Sequence, residues 1–496
     1  METQFKKQLI IVIISLIFPA IIFSQTDYDP RNSVIKIYVN DYSYSYRIPW
    51  QNLPPSSSSG SGVVIEGNKI LTNAHNVTNA TFIQVKKFND SKKYIAKVEY
   101  IGDECDLALL KVDDKKFFEG VKPLEIADVP HLQEQIYVLG YPIGGEELSI
   151  TKGVISRIEY QTYTHSGMGL MACQIDAAVN PGNSGGPVMI EDKIAGIAFQ
   201  SDMFAENTGY FIPKPVIDHF LEDIKDGTYD GFPFLAMQTQ NLENEDLRKY
   251  YKCEDDDYGM LVTYIADISP LKNILKTEDV IIEIDGVPIS SDGTVIFRPT
   301  ERINYNYVID KKYIGDECKI KVIRDGKKID LKFKLSLSGS DAFIMYSDEF
   351  NIEPRYFVFA GFVFQALTIN YLRTFGNYWY YDAPKSLLSY AGAYKSDSLH
   401  EVVIINTILK DEINQGYDDF GYGSFIVKSV NKKKIKKLDD LINFIESEKS
   451  EFLIFEDLAY NKIVLNRKNA ILRNNDILKN YNVVSDRSKV FKKGGK

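Results

Sequence analysis

At 496 residues the chain is too long for a single hydrophobic core, so two to four domains are expected. Its hydrophobic fraction of 44% and charged fraction of 25% are ordinary for a soluble globular protein, and they exclude disordered, collagenous and multi-span membrane classes. A formal charge of −10 argues against a phosphate-binding surface over the whole molecule, so no nucleic-acid partner is expected.

The chain opens with Lys6 and Lys7, then an apolar run from Leu9 to Phe23, then polar Ser24-Gln25-Thr26-Asp27. A positive start, a short apolar middle and a small or polar exit read as a signal peptide over residues 1–25. The alternative is an uncleaved membrane anchor, but the run from Leu9 to Phe23 is broken by Pro19 and falls short of the roughly 20 residues a span needs. Export to the periplasm or outside the cell follows, with no stable membrane span after cleavage.

From Ser33 to about Ile212 short apolar runs alternate with turn residues. Strands are expected at Val34–Val39, Gly62–Ile65, Phe82–Val85, Ala96–Tyr100, Leu107–Val112, Ile136–Leu139, Val154–Ile158, Cys173–Ile175, Pro187–Ile190, Ile194–Phe199 and Gly209–Ile212. Such a series without helical period reads as an all-β barrel or sandwich over residues 31–227. The run Pro54–Ser61 has the composition of a flexible loop. Lys214–Asp226 carries apolar residues at helical spacing and closes the domain. A second unit, 232–337, offers strands Met260–Tyr264, Val280–Ile284, Cys318–Val322 and Ile329–Leu335, with a short helix expected at Pro270–Leu275. Polar Ser336–Asp341 reads as a linker. A third unit, 343–485, ends in a strand–helix–strand stretch: Gly423–Val430, Lys437–Glu446, then Phe452–Ile454 and Ile463–Leu465. Its aromatic segment Tyr356–Tyr381 matches no motif, and residues 486–496 form a basic tail.

Three residues in this frame suit acyl transfer, which needs a nucleophile, a base, an orienter for the base and N–H donors for an oxyanion. Ser184 lies in Asn180-Pro181-Gly182-Asn183-Ser184-Gly185-Gly186-Pro187, where glycines on both sides permit a tight turn. There the N–H groups of Gly182, Asn183 and Ser184 can converge on one oxygen. His75 ends the apolar stretch Ile70-Leu71-Thr72-Asn73-Ala74, and Asp106 opens Leu107–Val112. Alone, each residue has a bland reading as a turn serine, a core histidine or a strand-capping acid. In the order His, Asp, Ser, 31 and 78 residues apart and within β structure, they match the chymotrypsin-like arrangement. His131, His165, His219 and His400 have no comparable setting and read as surface or structural. The four cysteines (Cys105, Cys173, Cys253, Cys318) permit three full pairings and leave free thiols open. They have no metal-ligand spacing, so no metal is expected, and the chemistry asks for no cofactor.

Gly60-Ser61-Gly62, Leu71-Thr72-Asn73-Ala74-His75, Asp106-Leu107-Ala108-Leu109-Leu110-Lys111 and Gly182-Asn183-Ser184-Gly185-Gly186-Pro187 resemble the HtrA/Deg (protease Do-like) family. Within it, Ile48-Pro49-Trp50-Gln51, Glu104-Cys105-Asp106, Leu139–Gly145 and Asp285-Gly286-Val287-Pro288-Ile289 resemble the plant-organellar and nucleolar branch. The resemblance implies a mostly β protein: a chymotrypsin-like double barrel, a PDZ domain and a second PDZ-like α+β domain. It implies an ATP-independent serine endopeptidase acting on unfolded or damaged polypeptides, with C-terminal peptides as PDZ partners and a homo-oligomer of trimers. Its PDZ carboxylate loop is expected at Tyr258, Gly259, Met260 and Leu261. The S1 pocket is expected at Ala178, Ala198 and Phe199, favouring a small or medium apolar P1. Loops Thr162–Leu170 and Gln200–Asn207 would switch a latent site. A chaperone or peptide sensor, and a regulatory protease with one substrate, are the alternatives.

Overall fold

The computed structural model describes residues 28–201, 208–254 and 258–491. The expected leader, residues 202–207 of the expected switch loop and residues 492–496 of the basic tail lie outside them. The first six strands are β1 (Val34–Asp41), β2 (Ser56–Ile65), β3 (Lys69–Thr72), β4 (Ala80–Lys87), β5 (Lys93–Gly102) and β6 (Leu107–Val112). They close into a barrel in the order β1-β2-β3-β6-β5-β4. Inward residues such as Ile35, Ile37, Val64, Ile70, Val85 and Leu110 fill it, so the alternation seen in the sequence is the alternation of the pleat. The serine run is not a loop: Ser56 to Ser61 pair in register with Asp41 to Lys36 of β1. The ladder satisfies the backbone of this polar strand while its outer serines face water.

A second barrel holds β7 (Gln135–Gly140), β8 (Ser149–Thr162), β9 (Gly169–Ile175), β10 (Pro187–Ile190), β11 (Lys193–Ser201) and β12 (Gly209–Pro213), in the order β10-β11-β12-β9-β8-β7. Helix α1 (Lys214–Asp223) continues into a short 3-10 turn and buries Val216, Ile217 and Phe220. Two six-stranded barrels and mostly β content are what the sequence led us to expect.

The next unit starts with β13 (Met237–Asn241) and α2 (Glu245–Tyr250), then β14 (Met260–Ile265), β15 (Val280–Ile284) and the two-residue β16 (Val287–Pro288). The hairpin β17 (Thr294–Arg298)–β18 (Glu301–Asn304), the short helix α3 (Asn306–Asp310), β19 (Glu317–Arg324) and β20 (Lys327–Lys334) complete it. Its sheet runs β13-β14-β15-β19-β20, which makes β13 an edge strand. The expected helix at Pro270–Leu275 is a run of turns, tied by Lys272 N–H to Ser269 O and Leu275 N–H to Leu271 O.

Helix α4 (Gly339–Ala342) leads into the last unit, where β21 (Tyr356–Phe359) and β22 (Phe362–Ala366) are followed by α5 (Ile369–Arg373), α6 (Trp379–Asp382) and α7 (Lys385–Leu388). Then come β23 (Val403–Ile408), β24 (Val427–Val430), β25 (Lys433–Lys434), α8 (Leu438–Ser447), β26 (Phe452–Asp457), β27 (Lys462–Asn466) and α9 (Arg467–Asn480). The aromatic segment that matched no motif is therefore β21, β22, α5 and α6. It packs against an excursion of the first barrel. Tyr46 joins a core with Leu367, Tyr371 and Ile404, and Asn406 Nδ2 donates to Tyr46 O at 3.0 Å. The Arg47 guanidinium lies 4.7 Å from the Phe375 ring centroid, a cation–π contact that joins the two units.

Candidate active site

The site lies where the two barrels meet. His75 sits on a single 3-10 turn just after β3, and Asp106 immediately precedes β6, its neighbour in the sheet. Asp106 is 1% exposed and adopts φ +53°, a left-handed conformation that costs a non-glycine residue about 1–2 kcal/mol. Its surroundings hold it there: Asn73 Nδ2 donates to its carbonyl at 2.9 Å, and its Oδ1 accepts the His75 N–H at 2.9 Å. Oδ2 then faces His75 Nδ1 at 2.7 Å. One carboxylate thus orients both the backbone and the ring of His75, leaving Nε2 as the ring's other nitrogen. The His75 side chain is about one-third exposed.

Ser184 comes from the second barrel, on the loop between β9 and β10. Ser61 of β2 stitches that loop to the first barrel. Its N–H donates to Ser184 O at 3.0 Å, its hydroxyl donates to Gly182 O at 2.7 Å, and the same hydroxyl oxygen accepts the Tyr141 N–H at 2.8 Å. Asn76 Nδ2 adds a further bond to Ser184 O at 2.8 Å. Gly182 has φ +97°, and a Cβ there would sit 2.5 Å from Tyr141 O, so only glycine fits. Among the described residues, the N–H groups of Gly182 and Ser184 donate to no protein acceptor. The expected third donor, Asn183, must be removed from the set, because its N–H is already committed to Asn180 O at 2.9 Å. Among the described residues, the Ser184 hydroxyl has one partner, the Phe199 carbonyl at 3.4 Å, and makes no hydrogen bond to His75.

Of the expected S1 residues, Ala198 and Phe199 are buried on β11 and Ala178 is partly buried on the approach to Ser184. Asp176 is turned away: its Oδ1 accepts the Val154 N–H at 2.7 Å. His165, read from the sequence as surface or structural, is a buried structural histidine beside the site. Its ring centroid lies 6.2 Å from that of His75, its Nε2 meets Asp103 Oδ1 at 2.8 Å, and Phe350 stacks on it at 4.1 Å. Burial opposes its protonation, but the Asp103 hydrogen bond and the Asp106, Asp103 and Asp348 charges outweigh it and raise the ring above the usual imidazole value. No sequence pattern marks a stacking contact between residues 165 and 350. Cys105, Cys173 and Cys318 are free thiols, and burial pushes those of Cys105 and Cys173 up. No cluster of three or more metal-ligating side chains occurs among the described residues.

The expected peptide-capturing loop is also corrected. Met260 and Leu261 begin β14, whose two sides are already paired with β13 and β15, so no peptide strand can add there. The open edge is β13. A cavity of about 190 Å³ lies at its entry, between Phe232–Met237 and the helix residues Asn306, Ile309 and Asp310, with Tyr160 and Leu170 of the second barrel on the far wall. Burial raises the Asp310 carboxyl well above the carboxylate range, against the opposing pull of a Tyr160 hydrogen bond.

Comparison with known proteins places this geometry. Residues 60–195 match a trypsin-like peptidase domain family, and residues 233–335 and 345–490 each match a PDZ domain family. "Putative protease Do-like 3, mitochondrial" of Arabidopsis thaliana is 40% identical over 92% of this chain and 79% of its own length. "Protease Do-like 2, chloroplastic" of the same plant is 36% identical over 92% and 75%. "HtrA-type protease AlgW with tripeptide" aligns with a TM-score of 0.50 at 23% identity, over 62% of this chain and 94% of its own, a likeness of fold.

Proposed function

The chain belongs to the HtrA/Do-like family of serine proteases and is a serine endopeptidase with two PDZ domains; from that premise we propose that it hydrolyses unfolded or damaged polypeptides through an acyl-enzyme on Ser184, without ATP. His75 takes the Ser184 proton at Nε2 and returns it to the leaving amine, while Asp106 fixes the Nδ1–H tautomer and steadies the imidazolium. The N–H groups of Gly182 and Ser184 receive the oxyanion, a donor pair whose loss costs about 10²- to 10³-fold per member. Ala178, Ala198 and Phe199 line an apolar P1 site. The observation that carries this reading is the double grip of Asp106 on His75, at 2.9 Å on the backbone and 2.7 Å on the ring.

The Ser184 hydroxyl is bonded to Phe199 O in this conformation and must leave that carbonyl to meet His75 Nε2. The site is thus at rest until substrate arrives, and the loop 162–170 is where release would act. PDZ units then present C-terminal peptides to it. The leader is proposed to export the chain to the periplasm, which cell fractionation checks: retention in the cytosol would rule it out. The subunits are proposed to assemble as trimers, and a purely monomeric sedimentation profile would exclude that.

Cleavage of reduced, unfolded casein tests the central reading. The wild-type chain is expected to degrade it, and Ser184→Ala to lose all cleavage above background. A wild type that cuts nothing and only suppresses aggregation would make it a chaperone instead.

A further inference from the structure

The four-residue turn between β5 and β6 sends its side chains to four separate parts of the molecule. Asp103 holds His165 on the 162–170 loop at 2.8 Å. Cys105 Sγ lies 3.7 Å from the hydroxyl of Tyr229, on the segment that leaves α1. Asp106 holds His75. Glu104, between them, reaches both PDZ units: its Oε2 accepts the Phe232 N–H at 2.9 Å, and its Oε1 accepts the Ser340 N–H at 2.8 Å. Phe232 immediately precedes the first PDZ match, and Ser340 lies five residues before the second. The Glu104 carbonyl in turn accepts the Ser166 hydroxyl at 2.8 Å, so the 162–170 loop is tied to the same residue.

Glu104 is 7% exposed and has no ion-pair partner among the described residues. A buried carboxylate without a cation is costly unless hydrogen bonds replace its water, and here two main-chain donors do so. The approach also demands its neighbour: Gly231 has φ +85°, and a Cβ there would stand 2.4 Å from Glu104 Oε2. Two entry segments from distant parts of the chain therefore converge on one carboxylate, two residues from the group that orients His75. The turn is tight, with the Asp106 N–H donated back to Asp103 O at 3.3 Å. A shift of Glu104 cannot be absorbed without moving Asp106, whose left-handed backbone already depends on its contacts.

We propose that Glu104 is a positioning residue: it latches the entry segments of both PDZ units to the turn that sets Asp106, so that displacement of either unit reaches the His75–Asp106 pair. This rests on the triad reading given above. PDZ engagement then acts on turnover through Glu104, with the substrate pocket itself untouched.

The test uses the full-length chain and four variants, Glu104→Gln, Ser340→Pro, their double variant and Ser184→Ala. For each, kcat and KM on a fluorogenic peptide, the rate of Ser labelling by diisopropyl fluorophosphate and the melting temperature are measured. Ser340→Pro deletes the main-chain donor to Glu104, and with it the Ser340 hydroxyl, without changing any residue of the barrels, and Pro is compatible with the first turn of a helix. Glu104→Gln is expected to lower kcat and the labelling rate by about 10- to 100-fold, the range for a misplaced catalytic group, with KM within twofold of wild type. Ser340→Pro should act in the same direction, and the two effects should combine less than multiplicatively, because both variants disturb the hydrogen bonds of the same carboxylate. Two results overturn the latch: either single variant labelling at the wild-type rate while only its melting temperature falls, or multiplication of the two effects. Should Glu104→Gln not fold, the kcat and labelling rate of Ser340→Pro decide alone. Undiminished labelling in Ser184→Ala would instead remove the triad reading, and the latch with it.

Discussion

The two barrels bring unequal halves to the site. The first barrel's half is assembled: Asp106 is buried, its backbone strain is held by Asn73, and both of its carboxylate oxygens are spent on His75. The second barrel's half is built but not engaged. Its loop is stitched down by Ser61 and Asn76, its two N–H donors are free, and yet the Ser184 hydroxyl rests on Phe199 O. The His75–Asp106 pair is thus fixed within the first barrel, whereas the Ser184 hydroxyl makes no hydrogen bond to it among the described residues. The 162–170 loop, which carries His165 beside His75, is also the loop the last unit touches. Tyr346 donates its hydroxyl to Gly167 O at 2.5 Å, and Phe350 stacks on His165.

The largest effect should come from breaking the assembled half. Asp106→Asn presents an amide in place of the carboxylate and favours the wrong tautomer of His75. A fall in kcat of about 10⁴-fold with little change in KM is expected, the size seen for such a change in a triad of this type. Steady-state kinetics on the fluorogenic peptide measures it, and a loss under tenfold would mean that Asp106 does not orient the base.

A smaller effect sharpens the other half. His165 is raised above the usual imidazole value, so its charge stabilises the fold fully below about pH 6.5, and that contribution is lost as the pH rises through the raised value. The melting temperature of wild type should exceed that of His165→Gln most below about pH 6, and the gap should close as the pH is raised past the imidazole range. A gap that stays constant with pH would show that His165 acts through packing on Phe350 alone.

Much of this was legible in the sequence because the chemistry is local. The Ser184 octapeptide, the strand ending at His75 and the strand opening at Asp106 each carry their cue within eight residues; the strand pattern gave an all-β barrel or sandwich, and the family resemblance implied the double barrel. What was illegible had physical reasons. β13 reads Met-Gln-Thr-Gln-Asn, a mostly polar edge strand, whereas the expected carboxylate loop Tyr258-Gly259-Met260-Leu261 runs into an apolar strand that is interior. The serine run of β2 has turn composition but gains its order from β1 across the ladder. β21 and β22 are apolar on both faces and carry no alternation, as suits strands buried on both sides. The roles of Glu104, Ser61 and His165 depend on partners between about 60 and 240 residues away, a separation no pattern search spans.

The central claim is that Ser184, resting on Phe199, is the nucleophile that His75 activates. Peptide mapping by mass spectrometry after treatment with diisopropyl fluorophosphate, in the presence of unfolded casein, tests it most directly. The account predicts a single adduct on Ser184 in the wild-type chain, and loss of that adduct in His75→Ala. An adduct on another serine, or labelling of Ser184 that is undiminished without His75, would contradict it.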